Sequence, residues 1–160
     1  MTEKKTTIEL KKLNKRFGDI VAVNDVSLKI SENDFFTILG PSGCGKSTIL
    51  RLIAGLEVQD TGAVMINNKD CSFVPANERP VNMVFQSYAL FPHLSVRDNI
   101  EFGLKLKKIN NINRKTRVEE ILELVKMNGY DFKLPSELSG GQRQRVALAR
   151  AIVNKPKIVL

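Results

Sequence analysis

The sequence FFTILGPSGCGKSTILRL occupies residues 35–52 and sets the type of fold. Its first five residues are mostly apolar, which is the pattern of a short strand buried on both faces. Residues 40–47 then match G-x-x-x-x-G-K-[ST], a glycine-rich phosphate loop. Apolar residues at 49, 50, 52 and 53 follow at helical spacing. We therefore expect a buried strand, a phosphate loop and a helix in succession.

The residue types of this loop suit a bound polyphosphate. Its glycines let the backbone approach phosphate oxygens where a Cβ would collide, and free N–H groups at the helix N-terminus point at the anion. Lys46 can supply a mobile positive charge to the β- and γ-phosphates, and Ser47 can offer its hydroxyl to Mg²⁺. The alternative, a glycine turn without a ligand, is disfavoured by the complete motif. The candidate nucleotide-binding residues are Gly40, Ser42, Gly43, Cys44, Gly45, Lys46, Ser47 and Thr48.

Composition limits the class of protein. With 160 residues, 42% hydrophobic and 26% charged, the chain can form a globular domain with a sizeable core. No apolar run reaches the length of a membrane-spanning helix, and residues 1–5 do not resemble a signal peptide. Two cysteines and one histidine provide neither a disulfide framework nor a multi-histidine metal site, so a reducing cytosol is expected.

The formal net charge of +8 has two interpretations. A basic protein can bind nucleic acid or an anionic membrane surface. The other interpretation is a set of solvated lysines on helix faces, which the scattered basic residues favour. The densest group, residues 105–117, has no interleaved aromatic residue beyond Phe102. We therefore expect no nucleic acid partner.

Further strands are predicted on both sides of the loop. Apolar residues at 8, 10 and 13 are spaced as in an edge strand, and alternation over residues 26–30 is typical of a half-buried antiparallel strand. Strands are also expected at residues 63–67 and 81–85, and another begins at 157–160. Phe17, beside Gly18, is a core or turn residue if taken alone, whereas near a nucleotide site it could stack on adenine.

Helices dominate the second half of the chain. Ser95 is a predicted N-cap with Asp98 three residues later, and a helix is expected from about residue 114 to 127.

Gln86 directly follows the strand predicted at 81–85, and taken alone it carries little information about function. After it, Tyr88, Leu90 and Phe91 form a large apolar group in a loop. This group is either buried under a neighbouring helix or exposed as a surface that docks a partner.

A second glycine-rich segment, residues 138–142, precedes the last helix. Taken alone, Ser139 is an N-cap and the two glycines after it are a loose first turn. A serine and two backbone-exposing glycines at a helix N-terminus also form an anion site. One chain with two phosphate sites requires an explanation.

Together these residues resemble the ATP-binding subunits of ABC transporters, over essentially all 160 residues. Residues 138–142 match the LSGGQ signature of that family letter for letter. Residues 78–93 look like the importer branch for sugars, polyamines and iron, and residues 151–156 are most similar to its spermidine/putrescine members. The implied fold class is α/β, a P-loop NTPase of the ABC type spanning residues 1–160. It combines an antiparallel β subdomain with an inserted α-helical subdomain at about 87–140, and its C-terminal part is missing.

The resemblance also assigns roles to residues. Phe17 falls at the family's adenine-stacking aromatic, and Gln86 at its Q-loop glutamine, a candidate catalytic residue that contacts Mg²⁺ together with Ser47. The implied cofactors are ATP and Mg²⁺. In a head-to-tail dimer, ATP bound to the phosphate loop of one subunit is closed by the signature of the other, residues Ser139, Gly140, Gly141 and Gln142.

The implied location is the cytoplasmic face of the cell membrane, as a peripheral subunit. There Tyr88, Leu90 and Phe91 would contact the membrane-spanning permease subunits, and closure of the ATP-bound dimer would drive alternating access. An extracytoplasmic solute-binding protein is an indirect partner.

Two motifs that the resemblance implies are not among these residues. The strand that begins at Lys157 would end in an aspartate that orders Mg²⁺, followed by a glutamate that activates water, both after Leu160. His93 does not match the family's switch histidine. We expect the 160-residue chain to be part of a longer protein, and by itself to bind ATP weakly and hydrolyse it negligibly.

Other functions remain open at this point. The importer could serve a sugar or iron, and the chain could be a non-catalytic nucleotide-binding module. A soluble ABC ATPase acting on nucleic acid is a third possibility. Chromosome-maintenance members of that kind separate the loop and the signature by a long coiled coil, and no sustained heptads occur between Lys46 and Ser139.

Overall fold

The computed structural model describes residues 5–160. The chain divides into two compact units, Met1–Pro80 and Val81–Leu160, which we describe separately. Among the described residues, no helix is both long and apolar enough to cross a membrane. The elements of the first unit are β1 Thr6–Phe17, β2 Ile20–Ser31, α1 Lys46–Ala54, β3 Thr61–Ile66, β4 Lys69–Asp70 and a 3₁₀ turn at Ala76–Glu78.

The first unit is built on an antiparallel sheet with strand order β2-β1-β3-β4. β1 has a partner on each side, so the prediction of an edge strand at its position was wrong. Apolar residues are in register across all three strands, since Leu10 pairs with Leu28 of β2 and with Val64 of β3. This cross-strand packing buries one face of β1 and explains its central place. The predicted half-buried antiparallel strand at 26–30 is confirmed as part of β2.

The predicted strand at residues 35–39 is wrong. These residues form no strand, and the side chains of Phe35 and Leu39 are 97% and 85% exposed. Among the described residues, no strand forms a ladder with this segment. A strand needs neighbours that accept its hydrogen bonds and cover its faces. An apolar run in the sequence cannot show whether such neighbours are in place.

The helix after the phosphate loop is confirmed as α1. Ile49, Leu52 and Ile53 are buried, as their spacing predicts. Arg79 caps the C-terminal end of α1, where its Nη1 donates to the carbonyl oxygens of Leu52 at 2.7 Å and Ile53 at 2.9 Å. A buried arginine at this end satisfies carbonyls that have no helical donor and complements the helix dipole.

The second unit is mainly helical. Its elements are β5 Val81–Asn82, α2 Val96–Leu106, α3 Asn111–Leu124, a 3₁₀ turn at Pro135–Glu137, α4 Gly140–Ile152 and β6 Ile158–Val159. β5 and β6 form a short parallel pair, so the strand predicted at 81–85 is shorter than expected. Its α3 begins three residues before the predicted start, because Asn110 caps it and accepts from the N–H of Asn113.

The three helices of this unit enclose one apolar core. Its buried residues are Val96, Ile100, Leu104, Val118, Leu122, Val125, Met127, Leu138, Val146, Ala149 and Val153. Both predicted N-caps are confirmed, since Ser95 accepts from the N–H of Asp98 and Ser139 from that of Gln142. The expected apolar face of the middle helix is confirmed at Val118 and Leu122.

A fully buried asparagine on α2 holds the loop that precedes this helix. The Asn99 Oδ1 accepts from the N–H of Phe91 at 2.8 Å, and its Nδ2 lies within hydrogen-bonding distance of three carbonyl oxygens, those of Phe91, Leu94 and Ser95. No pattern in the sequence singles out this residue. Its carboxamide satisfies backbone groups of an irregular segment, a role that an apolar side chain cannot take.

We expect Asn99→Ala to lower the free energy of unfolding by about 3 kcal/mol, because buried backbone groups lose their partner. Asn128→Ala is the matched control, since Asn128 is exposed and its loss should cost below about 0.5 kcal/mol. Urea unfolding of the full protein measures both changes. A loss below about 1 kcal/mol for Asn99→Ala would contradict this account.

The phosphate loop offers a second matched pair. Gly43 (φ 83°) and Gly45 (φ 87°) are both left-handed, but an added Cβ meets nothing within 4 Å at Gly43 and overlaps the carbonyl oxygen of Ala22 at Gly45. Gly43→Ala should therefore cost only the strain of a left-handed alanine, about 1 kcal/mol. Gly45→Ala should cost about 3 kcal/mol or more. Thermal unfolding without nucleotide tests this, and equal losses would refute it.

Candidate nucleotide-binding site

The phosphate loop ends at the N-terminus of α1. The first helical hydrogen bond runs from the N–H of Ile49 to the oxygen of Gly45 at 2.9 Å, so the N–H groups of residues 46–48 come before it. In residues 5–160, α2, α3 and α4 each have an N-cap side chain that accepts a hydrogen bond, whereas the N-cap of α1 is Gly45, which has no side chain. The first turn of α1 has no acidic residue. These N–H groups and the positive end of the helix dipole are therefore available to an anion.

Lys46 is folded back onto the loop. Its Nζ donates to the carbonyl oxygens of Gly40 at 2.8 Å and Pro41 at 2.6 Å, and lies 3.5 Å from the Sγ of Cys44. The ammonium thus lies inside the curve of the loop. Neutral carbonyls are weaker partners for an ammonium than phosphate oxygens are, so this lysine can exchange them for a charged acceptor.

Phe17 lies in the same unit as the loop. It pairs with Ile20 at the hairpin end of β1 and β2, and Ala22, whose carbonyl oxygen faces Gly45, is two residues further along β2. The Phe17 ring is 46% exposed and has the Nζ of Lys15 at 5.0 Å from its centroid. A hydrogen bond to Glu57 raises the pKa of Lys15. The exposed ring leaves a face on which an aromatic base can stack.

Gln86 is exposed in a turn of the second unit, where the N–H of Tyr88 donates to the oxygen of Phe85 at 2.9 Å. The apolar group after it is half-buried. Leu90 packs against the helical core, and the Phe91 ring lies 4.7 Å from that of Phe102. Burial under a helix therefore accounts for part of this group, and Tyr88, Leu90 and Phe91 each keep part of their surface exposed.

Arg150 of α4 binds the backbone of this turn. It was not among the candidate residues predicted from the sequence. Its Nη1 donates to the oxygen of Ala89 at 2.7 Å and its Nη2 to that of Tyr88 at 3.1 Å. Burial lowers the pKa of its guanidinium. Arg150 stands between two buried alanines, Ala149 and Ala151. A charged residue inside an apolar helical pattern is the signal that could have revealed it.

The signature residues form the N-terminus of α4. Ser139 and Gln142 make a reciprocal capping box, in which the N–H of Ser139 donates to the Oε1 of Gln142 at 2.8 Å and the N–H of Gln142 donates back to Ser139 Oγ at 3.3 Å. An added Cβ would meet nothing within 4 Å at Gly140 or at Gly141. Packing among residues 5–160 therefore does not require either glycine.

Acidic metal ligands do not cluster in this part of the chain. Within residues 5–160, no group of three or more His, Cys, Asp or Glu side chains could hold a metal ion. Mg²⁺ often binds through few protein ligands together with phosphate oxygens and water. The exposed Ser47 and Gln86 are the predicted oxygen ligands here, on separate units.

Comparison with known proteins places these motifs in a family. Residues 23–160 match the family described as ABC transporter. The chain is 49% identical over 158 residues to the spermidine/putrescine import ATP-binding protein PotA of Pasteurella multocida, and 52% identical over 159 residues to that of Photobacterium profundum. Each alignment covers 99% of this chain, and the chain spans 43% of the length of each of these relatives.

Solved structures agree with this assignment. A dimeric ATP-binding cassette in a post-hydrolysis state, bound to ADP and phosphate, matches with a TM-score of 0.86 and 36% identity. A dimeric bacterial ABC transporter cassette matches with the same values, and both alignments cover 95% of this chain and 72% of the solved one. The antiparallel sheet, the phosphate loop and the helical unit are thus those of an ABC ATPase. This chain belongs to the ABC transporter family.

Proposed function

We propose that the protein containing this chain is the ATP-binding subunit of an ABC importer for polyamines, and that it couples ATP binding and hydrolysis to uptake of spermidine or putrescine. The names and identities of the relatives support the choice of solute. The phosphate loop and the signature support ATP as the energy source. The location that follows is the cytoplasmic face of the membrane, with an extracytoplasmic solute-binding protein as an indirect partner.

One observation carries the ATP-dependent part of this proposal. Gly140 and Gly141 begin α4 with open space around them. Glycine in a helix costs up to about 1 kcal/mol relative to alanine, and no contact among the described residues requires it at these positions. Close approach of another molecule to the backbone is the physical reason for such glycines. We infer that the triphosphate on a second subunit is that molecule, in a head-to-tail dimer.

In this dimer each subunit contributes half of each site. Residues of the loop bind the phosphates through backbone N–H groups, Lys46 exchanges its loop carbonyls for phosphate oxygens, and Phe17 stacks on adenine. The donors of the partner's signature complete the other half. Neither half is complete alone, so a triphosphate favours the closed dimer and its loss favours the open one. The nucleotide ligands of the loop are Gly40, Ser42, Gly43, Cys44, Gly45, Lys46, Ser47 and Thr48.

Mg²⁺ would be the second cofactor. Ser47 and Gln86 are the residues that would hold it, and Mg²⁺ would supply charge neutralisation on the phosphates. The Gln86 side chain also serves to orient the attacking water. The permease subunits would contact the exposed parts of Tyr88, Leu90 and Phe91, directly after Gln86 in the chain.

Uptake of radiolabelled spermidine by cells that make the complete transporter tests the proposed function. We expect saturable uptake that unlabelled putrescine competes for, and a fall to background with Lys46→Ala, because the variant lacks the mobile phosphate-binding charge. Immunoblotting of the membrane fraction verifies that the variant assembles. Spermidine uptake equal to that of cells without the transporter would reject the polyamine assignment.

A charge at the signature tests the composite site. Gly141→Asp should keep or raise the melting temperature of the subunit, because a carboxylate in the first turn favours a helix. The same carboxylate should repel the partner's triphosphate and weaken dimerisation with a non-hydrolysable ATP analogue at least about tenfold. Gln144→Asp adds an equal charge at an exposed position of α4 and is the matched control.

Sedimentation of the full-length subunit with and without the analogue measures this effect. Equal dimerisation of Gly141→Asp and wild type would contradict the composite site. A loss with Gln144→Asp as large as that with Gly141→Asp would do the same, since it would point to net charge alone.

A further inference from the structure

The turn after Gln86 contains two strained residues in succession. Tyr88 has φ 64° and Ala89 has φ 47°, and neither is glycine. Left-handed backbone at a non-glycine residue persists only where surrounding contacts hold it. We call residues Tyr88–Phe91 the docking loop.

Arg150 supplies those contacts. The two carbonyl oxygens that it binds belong to the two strained residues, Tyr88 and Ala89. Its guanidinium also lies 5.4 Å from the centre of the Phe91 ring. Within residues 5–160, no carboxylate forms an ion pair with Arg150. The side chain is therefore dedicated to the docking loop.

The opposite end of the docking loop is held by α2. Both the N–H and the carbonyl oxygen of Phe91 are bound by the buried Asn99. Leu90 packs against the core that α2, α3 and α4 share. The loop is thus attached to α4 at its start by the half-buried Arg150 and to α2 at its end by the fully buried Asn99.

The helix α4 connects the docking loop to the signature. It begins directly after Ser139 and continues without a break to Ile152. Arg150 lies roughly 15 Å along the helix axis from Gly140, at 1.5 Å per residue. The buried Val146 and Ala149 fix the intervening turns in the core. A displacement of the signature end is therefore transmitted along a packed helix to Arg150.

We propose that Arg150 is a positioning residue that ties the docking loop to the signature helix, so that movement of α4 on ATP-driven closure moves the permease-contacting surface. This inference rests on the proposed function. Arg150 does not touch nucleotide or solute in this account. It acts through the backbone of Tyr88 and Ala89, and so sets the shape of the surface that the permease contacts.

The same helix provides a matched control. The Nη1 of Arg145 donates to the carbonyl oxygens of Val125 at 3.3 Å and Lys126 at 3.0 Å, beyond the C-terminal end of α3. Arg145 therefore also binds two neighbouring carbonyls, but away from the docking loop. Arg150→Lys and Arg145→Lys both keep the positive charge but lose the planar guanidinium, whose N–H groups can donate to two acceptors at once.

Hydrogen–deuterium exchange of the full-length protein tests the positioning role without any assumption about transport. We expect Arg150→Lys to speed exchange of the amides in residues 86–94 at least about tenfold, because the strained turn opens. Arg145→Lys should leave these amides at the wild-type rate. An unchanged rate with Arg150→Lys, or an equal increase with both variants, would overturn the proposal.

A second variant checks the physical cause. Ala89→Gly removes the cost of the left-handed conformation at that residue. In the double variant with Arg150→Lys, Ala89→Gly should restore at least half of the lost protection of residues 86–94 against hydrogen exchange. Ala89→Gly alone should leave this protection as in wild type. No recovery in the double variant would refute the role of Arg150 in holding the left-handed turn.

The amount of solute transported per ATP hydrolysed tests whether movement of α4 is transmitted through Arg150 to the docking loop. This ratio is measured in vesicles that contain the complete transporter. Arg150→Lys should lower this ratio for spermidine at least about threefold while ATP hydrolysis continues, and Arg145→Lys should not. If Arg150→Lys speeds exchange in the docking loop but leaves the transport ratio unchanged, the proposal that Arg150 transmits the movement of α4 is overturned. If the wild-type transporter moves no spermidine, the proposed function fails, and the exchange experiment still decides whether Arg150 positions the loop.

Discussion

A few buried or half-buried polar side chains satisfy backbone carbonyls at a helix end and in an irregular loop of this protein. In the first unit Arg79 binds the carbonyls at the end of α1. In the second unit Asn99 and Arg150 bind the loop after Gln86. A buried carbonyl without a donor is costly, so a loop of this kind holds one shape only if such donors are present. Among residues 5–160, each of these side chains binds neutral backbone and not a carboxylate.

Helix N-termini are used in two ways. At α4 the Ser139 hydroxyl and the Gln142 carboxamide form a capping box, so part of the first turn is satisfied within the chain. At α1 a left-handed glycine takes the cap position and adds no side-chain acceptor. The first-turn donors of α1 are thus left for an anion, while the exposed glycines of α4 give a second molecule close access to the backbone. The two ends would complement each other in the proposed head-to-tail dimer.

Much of the local structure was predictable from the sequence. The helix after the phosphate loop, the N-caps at Ser95 and Ser139 and the apolar face around Val118 depend on residues within a few positions of each other, and the structure confirms them. The errors concern strands. The position of β1 at the centre of its sheet and the absence of a strand at 35–39 depend on distant partners. Arg150 was overlooked for the same reason, because its acceptors lie 61 and 62 positions away. Asn99 was overlooked although its partners lie only 4 to 8 positions before it, because the irregular segment that it binds has no periodic pattern.

The sequence by itself determined the phosphate loop, the LSGGQ signature and, through them, the family, because each motif is contiguous and its chemistry resides in residue types at fixed spacing. The tertiary structure alone decided which carbonyls Arg79 and Arg150 bind and how far Tyr88, Leu90 and Phe91 are exposed. It also decided that Gly45, and not Gly43, has no space for a side chain. These properties are set by contacts between residues far apart in the chain, which local sequence patterns do not encode.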